Sequence, residues 1–85
     1  MTLMDYKRIE EKIVALLVDF TAKQESRIRE SLDLVAEGII DSLVTVHMIL
    51  ACEDEFEVTI YPDKARDLVT VPLIAGYIHN ALEET

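Results

Sequence analysis

Only one stretch of this chain, Val58-Thr59-Ile60-Tyr61, reads as a β-strand, and the sequence offers no second strand to pair with it. An isolated strand leaves its backbone polar groups without a ladder, and Pro62 follows at once, so the stretch is expected to be an extended connector. The fold must therefore be built from helices. Ile9, Ile13, Leu16, Leu17 and Phe20 recur at spacings of three and four, with Lys7, Arg8, Glu10, Glu11, Lys12 and Asp19 between them. That period predicts an amphipathic helix over roughly residues 3–20, with Asp5 early in it. Leu43, Val46, Ile49, Leu50, Cys52 and Phe56 predict a second helix over 42–56, opened by Asp41 or Ser42 as its cap. Thr70 caps a last helix, with Pro72 tolerated in its first turn and Leu73, Ile74, Tyr77, Ile78, Ala81 and Leu82 on its apolar face. Gly76 inside that helix is expected to let a neighbour approach. A short helix over 63–68 is started by Pro62 or Asp63.

Residues 21–41 show no clean period, and a connection of that length is uncommon in a small domain unless it has a function. An anchored loop with one short helical turn is expected, pinned to the core through Ile28, Leu32, Leu34, Val35, Ile39 and Ile40. The chain has 85 residues, enough for one domain and one core, which buries about 60 to 65% of the surface that the unfolded chain exposes. Residues 1–85 are accordingly read as one domain.

Charge and cysteine usage narrow the function classes. Between Glu30 and Glu57 there are eight acids and no lysine or arginine, so this segment holds eight of the nine net negative charges. Such a surface repels nucleic acid and anionic membranes and attracts basic proteins. Cys52 is the only cysteine, which excludes an internal disulfide and a cysteine-based zinc cluster and fits a reducing compartment. No apolar run approaches the roughly 20 residues that cross a bilayer, and the start of the chain does not look like a secretion signal. A soluble, cytoplasmic monomer is expected, without membrane insertion or nucleic-acid binding.

Catalytic readings fail on geometry. His47 lies five residues after Ser42, so one helix points the two in different directions, and a serine nucleophile has no base. His79, near the end of the last helix, is better placed to interact with the helix dipole than to catalyse. A calcium loop over Asp33–Val44 has Gly38 in the right place, but Val35 and Val44 stand where oxygen ligands are required. Cys52 falls among apolar residues and reads as packing. No catalytic or metal-binding residue is assigned. What remains is a serine at a helix start, which chemistry alone explains as a cap. A phosphate esterified there also gains from the helix dipole, by roughly 0.3 to 1 kcal/mol.

The segment Glu37-Gly38-Ile39-Ile40-Asp41-Ser42-Leu43 is followed by a helix ending in acids and by Phe56-Glu57-Val58-Thr59-Ile60. Asp67-Leu68 and Thr70-Val71 then precede the last helix. In that order these features resemble the acyl carrier protein family over the whole chain. The resemblance implies an all-α, acyl-carrier-like bundle of three main helices plus one short helix, with a long first loop. It implies that Ser42 carries a covalent 4'-phosphopantetheine arm, placed by a phosphopantetheinyl transferase that uses coenzyme A and holds the divalent metal itself. The arm's thiol holds an acyl or aminoacyl group as a thioester, loaded by an adenylating ligase or an acyltransferase and passed to acyl-accepting enzymes. The carrier supplies no catalysis. Asp41 and Leu43 flank the arm, and Val46, Glu53, Asp54, Glu55 and Glu57 face partner enzymes. Gly38 lies three places before Asp41, where fatty-acid carriers commonly have glycine two places before, and Val44 and His47 stand where those carriers often have acids. These departures look more like D-alanyl, aminoacyl and related stand-alone carriers. An adaptor that keeps the fold and binds basic proteins without an arm is the alternative.

Overall fold

Asp5 starts the first helix from outside it. In the computed structural model, which describes residues 5–83, α1 (Tyr6–Thr21) follows Asp5, whose carboxylate accepts a hydrogen bond from the Arg8 N–H at 2.9 Å. Leu3 and Met4, included in the expected helix, lie outside the described residues. Ile9, Ile13 and Leu17 are buried as their spacing predicts, joined by Val14, while Leu16 is partly buried and Phe20 near the helix end is exposed. The helix stops at Ala22, which turns into the left-handed region and donates its N–H to the Val18 carbonyl at 2.8 Å.

The aperiodic connection contains a helix of its own, α2 (Glu25–Glu30), seated through buried Ile28. Arg29 ties it to α1, reaching Glu25 at 2.8 Å, Glu11 at 2.9 Å and Glu10 at 3.8 Å. Leu34, Ile39 and Ile40 reach the core as expected. Leu32 and Val35 do not: they are exposed, because no regular element fixes which way successive residues of this loop point.

The second predicted helix is α3 (Ser42–Phe56), at the expected boundaries. Its inward face is Met48, Cys52 and Phe56, with Val44 and Ile49 partly covered. Leu43, Val46 and Leu50, expected on that face, point outward and are 62%, 51% and 57% exposed. The helix is apolar nearly all round over its first three turns, so periodicity could not choose a side. Lys12 joins α1 to α3 through Glu55 at 2.6 Å. Residues 58–60 form an extended connector, and its need for a partner is met by a side chain: the Glu53 carboxylate accepts the Ile60 N–H at 2.9 Å.

Pro62 opens α4 (Pro62–Ala65), shorter than the 63–68 expected, and Leu68 beyond it is buried. α5 (Val71–Glu83) starts as predicted, with the Thr70 hydroxyl accepting the Leu73 N–H at 3.2 Å. It buries Val71, Ile74, Ala75 and Ile78, mainly against α1, whereas Leu73, expected on this face, points outward and is exposed, because the helix is apolar on both sides of its first turn. The Tyr6 hydroxyl donates to the Pro72 carbonyl at 3.2 Å, and the Tyr6 ring meets His79 edge-on at 6.2 Å. The described residues thus form an all-helical bundle of three longer and two short helices around one core. None of these helices is long and apolar enough to cross a membrane.

Gly76 is not a close-approach site, since a Cβ placed there meets no atom within 4 Å. Its cost is then purely conformational. Gly76→Ala is expected to raise stability by about 0.5 to 1 kcal/mol, measured by urea denaturation.

Candidate functional site

The position of Ser42 is set by the loop before it. The Leu34 N–H donates to the Val69 carbonyl at 2.7 Å, tying the loop to the segment between α4 and α5. The Leu34 carbonyl accepts from the N–H groups of both Ile39 and Ile40, at 2.9 and 3.1 Å. This fold-back requires Gly38 at φ +73°, a conformation glycine reaches without strain, and a Cβ there would touch nothing. Glycine is needed for its backbone and not for space. Ile39 and Ile40 then enter the core, and the chain emerges at Asp41 with its direction fixed.

Carboxylates hold the turn. Glu37 accepts the N–H groups of Leu32 at 2.9 Å and Asp33 at 3.2 Å, and the Asp33 carboxylate accepts those of Val35 at 3.1 Å and Ala36 at 2.9 Å. The Leu32 N–H, then the Ser31 hydroxyl and the Asp33 N–H, hold the Glu37 carboxyl below the usual carboxylate range. A carboxyl with a depressed folded-state pKa stabilises above its ordinary pKa, and that contribution disappears as the pH falls through the depressed value. The amide protection factors of Leu32 and Asp33, measured against the intrinsic exchange rate at each pH, are therefore expected to be high at neutral pH and to fall on acidification, at a higher pH than those of α1.

Asp41 caps α3, its carboxylate accepting the Val44 N–H at 2.8 Å while its carbonyl accepts both the N–H and the hydroxyl of Thr45. Of the two residues able to cap, Asp41 does so. Ser42, the first residue of the helix, is left exposed with no side-chain hydrogen bond among the described residues. It lies on the rim of a groove of about 570 Å³ walled by Val35, Ile40, Val46, Pro62, Leu68 and Val69. Two charged side chains, Asp33 and Arg66, also line this groove. Leu43 is exposed beside Ser42, and Val46 faces the groove.

The other residues singled out from the sequence are dispersed. His47 is exposed with its ring 6.3 Å from that of Phe20, and His79 is half-buried with Nε2 3.5 Å from the Glu83 carboxylate. Cys52 is buried, and burial, helped by nearby Glu53 and Glu55, pushes its thiol up to about 12. Of the four acids at the end of α3, Glu53 is spent on Ile60 and Glu55 on Lys12. Asp54 and Glu57 remain exposed without a side-chain partner among the described residues. No group of three His, Cys, Asp or Glu side chains among the described residues could hold a metal ion. The role of Leu34 had no signature in the sequence, because its bond to Val69 joins positions distant in the chain, and that of Glu37 had none because its carboxylate closes an irregular turn that periodicity does not reveal.

The cap has a measurable cost. Asp41→Ala is expected to lower stability by about 1 kcal/mol in urea denaturation, and Asp41→Asn to retain most of it.

A family model described as the phosphopantetheine attachment site matches residues 11–78, from the middle of α1 to near the end of α5. Proteins matching it carry 4'-phosphopantetheine covalently on a serine. The match covers most of the chain and encloses the helix-opening serine and its groove, and on that ground this chain belongs to the phosphopantetheine attachment family of carrier domains.

Proposed function

We propose that Ser42 bears the arm and that the chain works as one carrier domain, presenting an acyl or aminoacyl thioester to partner enzymes. The observation that carries this reading is a choice among three serines. The chain contains only Ser26, Ser31 and Ser42. Ser31 is buried, its hydroxyl engaged by the Asp33 N–H and by Glu37. Ser26 is exposed on the six-residue α2, away from any groove described above. Ser42 alone combines an exposed, unbonded hydroxyl, a longer helix start and an apolar groove beside it.

These surroundings suit the group. The first N–H groups of α3 point toward the start of the helix, where a phosphodiester on Ser42 gains roughly 0.3 to 1 kcal/mol from the dipole. The arm supplies a thiol that holds the cargo as a thioester, and its tether raises the cargo's effective concentration at each partner's active site. The groove walls can shelter the apolar part of the arm or a short acyl chain. Asp41 fixes the backbone that a phosphopantetheinyl transferase meets, and Leu43 and Val46 border the arm.

For cargo we favour an aminoacyl or specialised short-acyl group over fatty-acid synthesis. The support is the offset from Gly38 to Asp41 and the absence of charge on α3 from Ser42 to Cys52. Partner enzymes then meet an apolar helix face at Leu43, Val46 and Leu50 first, with Asp54 and Glu57 as the acids still available at its far end. Glu53 and Glu55 contribute less than the sequence suggests, because each holds a neighbour inside the molecule. This weakens the reading of an arm-free acidic adaptor.

Co-expression with a broad-specificity phosphopantetheinyl transferase is expected to add one arm by intact mass, and to add none to Ser42→Ala. The holo protein should show one rapidly titrating thiol, since Cys52 is buried and protonated at neutral pH. An unmodified wild-type chain alongside a modified control carrier contradicts the proposal.

A further inference from the structure

We infer that Arg66 holds the oxyanion of the group tethered at Ser42, a role that rests on Ser42 being the attachment point. The electrostatics of the groove create the need. An arm on Ser42 brings a phosphodiester next to Asp41 and into the groove that Asp33 lines, at the centre of a stretch from Glu30 to Glu57 without one lysine or arginine. At these short separations like charges repel, and within the stretch only the dipole at the start of α3, with no lysine or arginine side chain, offsets them.

Arg66 is the one cation among the described residues that line the groove. Its side chain makes no hydrogen bond or ion pair among the described residues, in contrast to Arg29, which is held by three glutamates, and Lys12, which is held by Glu55. Asp33, on the same groove, has its Oδ1 engaged by two backbone N–H groups and forms no ion pair with Arg66. Arg66 thus lines the groove that Ser42 also lines, with its guanidinium uncommitted.

Its backbone is well placed for the task. Arg66 closes α4, the Leu68 N–H donates to the Ala65 carbonyl at 3.1 Å, and buried Leu68 anchors the segment to the core. A guanidinium offers two parallel N–H donors to two oxygens, which an ammonium does not. The neighbouring Asp67 is exposed and likewise makes no ion pair with Arg66 among the described residues. The oxyanion has two possible sources: the phosphodiester common to every loaded form, or a carboxylate at the end of the cargo.

The test follows the Arg66 side chain itself. Nε–Hε resonances of the ¹⁵N-labelled chain are compared among apo, holo, acetyl-loaded and succinyl-loaded forms, with Arg66 assigned from its absence in Arg66→Gln. Movement on passing from apo to holo, retained in the acetyl form, assigns the phosphodiester. Movement in the succinyl form alone assigns the carboxylate. In either case the rise in thermal midpoint on loading should shrink by roughly 2 to 4 °C in Arg66→Gln and be partly restored in Arg66→Lys, with the apo midpoint unchanged. An Arg66 resonance that stays still in all loaded forms overturns the inference, as does a loading increment that Arg66→Gln leaves intact. Failure of the attachment reading is separate and visible first, as an unmodified wild-type chain or a modified Ser42→Ala.

Discussion

The two-sided hydrogen bonding of Leu34 is the constraint on which the site depends. Its N–H reaches across to Val69, and its carbonyl collects the N–H groups of Ile39 and Ile40, so one buried residue sews the long loop to the connection before α5 and folds the loop back on itself. Without this arrangement Ile39 and Ile40 would have no reason to enter the core together, and Asp41 would not meet the start of α3 in capping geometry. The groove exists for the same reason: its loop wall and its α4 wall are held together by the Leu34–Val69 bond. Buried backbone bonds of this kind are costly to leave unmade, which makes the site rigid although most of its residues belong to no regular element.

Function follows from what is fixed and what is left loose. A carrier domain benefits from a rigid base under a flexible tether, because the tether does the searching while the base presents one surface to successive partners. Here the base is the capped helix start, where Asp41 is occupied with the backbone and Ser42 has nothing to do in the free protein. The buried, protonated Cys52 keeps the domain's own sulfur out of thiol exchange with the arm. The uncommitted charge at the groove is positive although the chain as a whole is strongly acidic.

Parts of this were legible in the sequence for physical reasons. α1 carries charged residues opposite its apolar face, so its inward side could be read from spacing, while α5 could be read at Ile74 and Ile78 but not at Leu73, which is as apolar and yet exposed. The boundaries of α3 could be read from Asp41-Ser42 and from the acids that end the apolar run. Its inward side could not, since Leu43, Val46 and Leu50 are as apolar as Met48, Cys52 and Phe56. In the loop, Leu32 and Val35 look the same as Leu34 in sequence, and only the bond to Val69, over thirty residues away, selects Leu34 for the core. The carboxylates show the same limit. Composition counts Glu37, Glu53 and Glu55 as surface charge, whereas the fold uses one to close a turn, one to satisfy the connector and one to join two helices. Ser42, the proposed attachment serine, stood out by its place in an ordered set of features, but the groove beside it required the fold.

The central claim is that the arm resides on Ser42 and on neither of the other serines. Fragmentation of the transferase-modified protein, with the labile phosphopantetheine retained on its peptide ions, locates the modification among Ser26, Ser31 and Ser42. The account predicts the whole of the added mass on the fragment containing Ser42. Its appearance on a fragment holding Ser26 or Ser31 would contradict it.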